Sequence, residues 1–287
     1  MECRMSAARR ALWYIESHHA EAIALADVAR VVGLSPFHLS RLFQASTGTS
    51  LVRHLRGRRL SAAAHQLAAG ARDILQVALA SGYATHPAFT RAFVEQFGRT
   101  PEHVRTHGLD SINLVQAIRL DDAPVPCAQP PRLVDAGALC VAGVAARHRG
   151  DSVAAIPAQW QQLAQQGPAR TDIHYGVCCN HDDEGGFDYI AGRELATPAA
   201  LPHPWQAVQI PARRYVVAWH AGHIATIRST WYWLLNHYLP AAGLCLADAP
   251  ELERYDARFD PHTGHGGMEI WLPLADPPPS PGPDTCA

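Results

Sequence analysis

The chain contains no lysine, so all 24 of its basic residues are arginine. It has no apolar run approaching the ~18 residues a membrane-spanning helix needs, and its opening MECRMSAARR lacks the apolar core of a secretory leader. A cytoplasmic protein with no membrane partner is the expectation. Cysteine is scarce and scattered: Cys3, Cys127, Cys140, Cys178, Cys179, Cys245 and Cys286 make an odd set without a CxxC pair. That argues against a disulfide framework or a zinc finger. The densest candidate metal cluster, Cys178, Cys179 and His181, fails on geometry, because neighbours on an extended strand point to opposite faces. The sequence shows no Ser-His-Asp spacing, phosphate loop or HExxH motif either. No metal and no cofactor are expected.

What is present is apolar material for real cores: 287 residues, 48% hydrophobic and only 17% charged. That length and composition suit about two globular domains rather than a disordered polymer. Charge divides unevenly between the halves. Residues 1–110 hold 13 arginines against 8 carboxylates, while the remainder holds 11 against 18. A basic half joined to an acidic half points to one part facing a polyanion and the other facing something else.

The first hundred residues read as helices. Ala8, Leu12 and Ile15 share one face of a first helix, and a second near Leu25–Val32 ends at Gly33. Ser35-Pro36 then opens a third, with serine as cap and proline at the first helical position. A connecting helix runs from Ser50 to Ala69 despite Gly57. The pattern then repeats 49 or 50 residues on: Val28-Ala29 and Gly33 recur as Val77-Ala78 and Gly82, Leu39–Phe43 as Phe89–Phe93, and Gly48 as Gly98. Two copies of helix, glycine turn and helix make a helix-turn-helix pair.

In the first copy Leu39, Leu42 and Phe43 form the packing stripe, and Phe37, Ser40, Arg41 and Gln44 form the outward one. In the second copy Phe89, Ala92 and Phe93 face inward, with Pro87, Thr90 and Arg91 outward. An arginine and an amide on such a helix reach guanine or adenine edges in the major groove. Two solvated faces of an ordinary bundle are the bland alternative, and duplication of cap, turn glycine and outward arginine disfavours it.

Residues 7–107 resemble the DNA-binding domain of the AraC/XylS transcription regulators, above all in the run IxxVALASGYATHPAFTRAFVEQFGRTPEHVR from Ile74 to Arg105. The resemblance implies seven helices, two helix-turn-helix motifs and a rigid central helix, set on successive major-groove faces about one DNA turn apart. By position, Phe37, Ser40, Arg41 and Gln44 line one recognition helix, and His86, Pro87, Thr90 and Arg91 the other. Pro87 departs from the polar residue common there and offers only apolar contact, such as with a thymine methyl. His38 and His86 are either phosphate contacts or surface histidines.

Residues 111–131, with the proline-rich stretch DDAPVPCAQPPR, read as an interdomain linker. Beyond it come strands and two helices: a hairpin-like region (132–149), a helix (156–166), strands at 173–179 and 187–195, a strand at 206–220, a helix (225–239), then strands at 253–259 and 268–274. The order strand, helix, strand, strand occurs twice. Residues 276–287 read as a disordered proline-rich tail. The expected fold is an all-α tandem helix-turn-helix domain (1–110) followed by an α+β domain (132–275).

On the strand from Glu253, alternation sets Glu253, Tyr255, Ala257 and Phe259 on one face, with Arg254, Asp256 and Arg258 opposite. Glu269 and Trp271 repeat this on the next strand. Tyr215, Val217 and Trp219 form a third aromatic-bearing face. Either Glu253 points inward, where a partner, a proton or a cationic ligand must offset its desolvation, or it starts its strand at a wet rim. Aromatic faces with a carboxylate suit an apolar cation.

The stretches IPAQWQQL, YGVCCN, FDYIAGREL, RRYVVAWHAGHIATIRSTW, ELERYD and GGMEIWLPL are similar to the GyrI-like small-molecule-binding domain. That resemblance implies a pseudo-twofold pair of modules with a ligand groove between them, and Glu253 as the groove glutamate. Tyr175, Trp205, Trp219, Trp233, Tyr255 and Trp271 are candidate walls. The first reading is a non-enzymatic transcription regulator that binds double-stranded DNA and a small hydrophobic or cationic effector; the family implies RNA polymerase as a further partner. The alternative is a hydrolase, with Glu253 as general base, or a protein that sequesters toxic small molecules. Tandem motifs let one chain occupy an asymmetric site, so monomer and homodimer both stay open.

Overall fold

The computed structural model describes residues 6–120, 127, 129–149, 155–165, 173–195, 201 and 205–276. The expected tail from 277 and part of the expected linker lie outside them. The chain divides into two compact units, the first holding residues 6–120 and the second most of the described residues from 127 on.

The first unit is helical: α1 Ala7–His18, α2 Leu25–Val32, α3 Pro36–Thr47, α4 Leu51–Ala68, α5 Ile74–Ala80, α6 His86–Phe97 and α7 Pro101–His107. Each begins where the sequence supplies a cap. Side chains of Ser6, Ser35, Ser50, Asp73, Thr85 and Thr100 accept backbone N–H groups of the following first turn, satisfying donors that have no partner inside a helix. At α2, Asp27 accepts from the Ala24 N–H instead. Gly33, Gly48 and Gly98 end their helices with φ of 74°, 82° and 67°, a left-handed geometry that side chains with a Cβ resist. Leu39, Leu42 and Phe43 are fully buried beneath α3, as are Phe89 and Phe93 beneath α6.

Residues 111–120 do not behave as a free linker. They run along α4: Ser61 Oγ accepts from the Val115 N–H, and Arg58 Nη1 donates to the Val115 carbonyl. Gly57 permits this approach, since a Cβ there would meet Val115 Cγ2 at 2.8 Å. The same Arg58 side chain donates through Nε to Glu16 Oε2 at 2.9 Å, and His54 Nε2 lies 3.1 Å from Glu16 Oε1.

The second unit contains an eight-stranded antiparallel sheet. Its strands are β1 Arg132–Ala136, β2 Leu139–Arg149, β3 His174–Cys179, β4 Gly186–Glu194, β5 Trp205–Ile210, β6 Arg213–His220, β7 Glu251–Tyr255 and β8 Met268–Pro273, in the order β1-β6-β8-β7-β3-β4-β2-β5. Helix α8 (Ile156–Gln165) links β2 to β3. A second helical run links β6 to β7, with α9 (Ile227–Trp233), a π-helical turn (Leu234–Tyr238) and α10 (Leu239–Ala242). The expected duplication is visible in the strand order, because β7 and β3 pair at the centre and β8, β6 mirror β4, β2 around them.

Three boundaries differ from the sequence expectation. The region 132–149 is not a hairpin: β1 pairs with β6, while β2 pairs with β4 and β5. The single strand expected over 206–220 is two, broken at Pro211, which has no N–H to donate. Consequently β5 pairs with β2, while β6 pairs with β1 and β8. The strand around Glu253 runs Glu251–Tyr255, which puts Glu253 at its centre.

Candidate functional site

On α3, Phe37, Ser40, Arg41 and Gln44 are all part-exposed, consistent with the outward stripe. His38 is not a surface residue: it is 2% exposed, its Nε2 has no hydrogen-bond partner, and desolvation pushes its imidazole down to about 4. This corrects the reading of His38 as a phosphate contact or surface histidine. The helical repeat sets position 38 at the edge between Arg41 and the buried Leu42, and packing against α3 decides on which side it falls. On α6, His86, Pro87 and Arg91 are exposed. Thr90 is only half exposed and its hydroxyl is buried without a partner, so it offers a methyl edge rather than a polar group. Pro87 sits in the first turn behind the Thr85 cap, where a missing N–H costs nothing.

In the second unit, strand alternation sorts the predicted wall residues onto two faces. Glu253 is paired across the sheet with Gly176 on β3 and Ile270 on β8, so the wet-rim alternative does not hold. Its face is the one covered by helices: Val144, Leu163, Cys178, Phe187, Tyr189 and Ala191 form the core there, with Trp160 of α8 packed against them. Two phenols converge on one carboxylate oxygen. Tyr189 donates to Glu253 Oε2 at 2.7 Å and Tyr255 donates to the same oxygen at 2.9 Å. Trp160 Nε1 donates in turn to the Tyr189 hydroxyl at 3.1 Å, and the Trp160 ring meets the Tyr255 ring edge-on with centroids 5.0 Å apart. Burial drives both tyrosines well above the usual phenol range, and the adjacent carboxylate adds to it. They therefore act as neutral donors at any physiological pH.

Gly176 makes this cluster possible. A Cβ at that position would collide with the Tyr189 hydroxyl and stand 2.7 Å from Glu253 Oε2. The result is a carboxylate walled by Tyr189, Tyr255 and Trp160, an arrangement chemically suited to a cation with apolar substituents. Tyr189 and Trp160 are absent from the sequence prediction. The alternation of Phe187, Tyr189 and Ala191 carried a signal for Tyr189, and Trp160 lies within the stretch IPAQWQQL.

Of the six other predicted ligand residues, only Tyr255 is hydrogen-bonded to Glu253. Tyr175 and Trp271 lie on the opposite face, in the core of Val177, Tyr215, Val217 and Leu252. Trp219 shares that face; Arg258 stacks on its ring, with the guanidinium carbon 4.0 Å from the centroid. Trp205 is on the helical face, but β5 is four strands from β7. Trp233 packs on Tyr238 within its own helical run, ring centroids 5.6 Å apart. Glu269 is held by Arg132 Nη2 at 2.7 Å and by the Trp271 indole N–H at 3.0 Å. Burial alone would raise its carboxyl, and these hydrogen bonds outweigh it to leave the group lowered. It serves as an ion-pair partner, not as a second groove carboxylate.

Cys178 and Cys179 point to opposite sheet faces, packing in separate cores. No group of three or more metal-ligating side chains converges among the described residues, and none of their helices is long and apolar enough to cross a membrane.

Comparison with known proteins places both units. Residues 28–107 match a family model described as a helix-turn-helix domain, and residues 129–275 match a GyrI-like small molecule binding domain. Transcriptional regulator Rob of Salmonella typhimurium (strain LT2) is 26% identical over 266 residues, covering 89% of this chain and 92% of Rob. The right origin-binding protein of Escherichia coli (strain K12) is 34% identical over 119 residues, 41% of each chain. Among solved structures, SAV2435 bound to tetraphenylphosphonium has a TM-score of 0.41 and 18% identity, covering 51% of this chain and 94% of that one. With a GyrI-like match over half its length behind a helix-turn-helix domain, the chain belongs to the AraC/XylS-type regulators that carry a GyrI-like small-molecule-binding domain.

Proposed function

We propose that the chain binds double-stranded DNA through the exposed stripes of α3 and α6 and holds a lipophilic cation against Glu253, with the bound cation altering its affinity for DNA. The observation that carries the ligand half of this reading is the convergence of the Tyr189 and Tyr255 hydroxyls on one oxygen of Glu253. Neutral phenols orient the carboxylate without cancelling its charge, and a cation between aromatic walls then supplies the opposite charge in a partly desolvated setting.

On the DNA side, Arg41 and Arg91 stand at equivalent positions of twin motifs on a unit with an excess of arginine. Arginine suits guanine edges and phosphates alike. Coupling follows linkage: the cation changes DNA affinity only to the extent that it prefers one of the DNA-competent and DNA-incompetent arrangements. The family resemblance extends the reading to contact with RNA polymerase at the promoter.

The test is titration of the full chain onto its own promoter region with and without tetraphenylphosphonium, chosen as a plain lipophilic cation. A ligand-dependent change in DNA affinity that Glu253→Gln abolishes supports the proposal. Tight cation binding with no change in DNA affinity would make the protein a sink rather than a switch, and turnover of a hydrolysable cation lost in Glu253→Gln would make it an enzyme.

A further inference from the structure

We infer that Gln159 is a positioning residue for the Glu253 site: by gripping the backbone of Tyr189 it sets α8 so that Trp160 reaches the hydroxyl of the same tyrosine. The starting point is the packing stripe of α8. Ile156, Gln159, Trp160 and Leu163 follow the i, i+3, i+4, i+7 spacing of one helix face, and Ile156, Trp160 and Leu163 meet the core of Val144, Phe187 and Tyr189. Gln159 stands in the middle of that apolar stripe and is 5% exposed. Amphipathic packing does not call for an amide there, and burying one costs free energy unless it is hydrogen-bonded.

Three hydrogen bonds account for it. Gln159 Nε2 donates to the Val144 carbonyl of β2 and to the Tyr189 carbonyl of β4, each at 3.1 Å. Carbonyls only accept, so these two contacts assign the amide orientation and leave Oε1 facing His148, whose Nε2 carries the proton it donates. One side chain thus ties α8 to two neighbouring strands. The apolar contacts of Ile156 and Leu163 tolerate sliding and rotation of the helix, whereas three directional bonds admit one register. The next residue is Trp160, whose Nε1 donates to the Tyr189 hydroxyl at 3.1 Å. Adjacent residues of α8 therefore hold both ends of Tyr189, Gln159 its carbonyl and Trp160 its phenol, and that phenol orients Glu253.

The ligand-dependent part of this inference rests on the cation binding proposed for Glu253; the placement of Trp160 does not, and the experiment reads the two separately. The full chain is labelled with 5-fluorotryptophan, and the ¹⁹F line of Trp160 is identified by its loss in Trp160→Phe. Gln159→Met keeps the volume and removes the hydrogen bonds, so without ligand it should move or broaden that line while the line of Trp271, in the opposite core, stays in place. Tetraphenylphosphonium affinity should fall by about two- to thirtyfold, the range of one cation–ring contact, and the same substitution made in Trp160→Ala should cost nothing further. A purely structural amide would instead lower affinity in both backgrounds. His148→Phe leaves both carbonyl bonds in place, should move the Trp160 line less, and serves where Gln159→Met does not fold. An unmoved Trp160 line in a folded variant, or additive losses with Trp160→Ala, would overturn the role of Gln159. Absence of cation binding in the unmodified chain, with the line moved as expected, would overturn the proposed function and leave the placement of Trp160 by Gln159 standing.

Discussion

Tyr189 reaches Glu253 across a glycine: its hydroxyl lies 2.7 Å from the carboxylate, directly over Gly176, where no side chain fits. The groove carboxylate is therefore oriented by a partner on β4 through a gap in β3. A small residue at one strand position decides whether the acidic group is presented in a fixed direction, and the first prediction follows from that.

Gly176→Ala should force Tyr189 and Glu253 apart. We expect a stability loss of about 1–3 kcal/mol, the usual cost of overpacking, together with weakened cation binding. Tyr189→Phe, which removes only the hydroxyl, should cost about 1 kcal/mol. Urea denaturation of both variants, alongside ligand titration, checks the pair. An alanine variant as stable as the parent would mean that the phenol is not confined at this position.

The proposed charge recognition at Glu253 is separable from apolar packing by substitution. Glu253→Gln should weaken tetraphenylphosphonium by about tenfold, or ~1.4 kcal/mol, and leave neutral triphenylphosphine oxide nearly unchanged. Isothermal titration of the two ligands reads the difference. Equal losses would assign the carboxylate a structural role only.

On the proposed role of α3 and α6, Arg41→Ala should cost about 1–3 kcal/mol of specific affinity and relax sequence preference at one position of the site. Arg91→Ala should behave alike if α6 reads bases, and should instead lower affinity evenly across sequences, with a shallower salt dependence, if Arg91 meets phosphate. Fluorescence anisotropy against specific and scrambled duplexes at several salt concentrations distinguishes these outcomes.

His38 makes stability depend on pH. Folding holds its imidazole neutral down to about 4, whereas the unfolded chain takes up a proton near the ordinary value of 6.5. Between those values the unfolded state binds more protons, so stability rises with pH through this window. The contribution is complete above 6.5 and is lost as the pH falls toward 4, at most about 3 kcal/mol. His38→Leu should flatten that part of the profile, measured as unfolding midpoints from pH 4 to 7.

The helical unit was legible in advance because its signals are local. Ser35-Pro36 and Thr85 mark helix starts, Gly33, Gly48 and Gly98 mark stops, and a period of 3.6 sorts Leu39 from Arg41. Each operates within one turn of the chain. His38 escaped because its burial depends on what packs against α3, and residues 111–120 of the expected linker run along α4 because Gly57 leaves room for Val115.

The α+β unit was legible only by strand. Alternation along β7 was enough to put Glu253 with Tyr255, but nothing in that segment says which residue of β4 will stand opposite. Register between strands distant in sequence brought Tyr189 over Gly176, set Tyr175 and Trp271 on the far face, and left Tyr255 alone of the six predicted walls beside Glu253. Residue order and chemistry sufficed for the elements, their caps and the two-part plan, since these arise from interactions among near neighbours. Partner choice across the sheet was left to the folded chain, because hydrogen-bonded ladders and side-chain packing select one pairing out of many that the same alternating pattern permits.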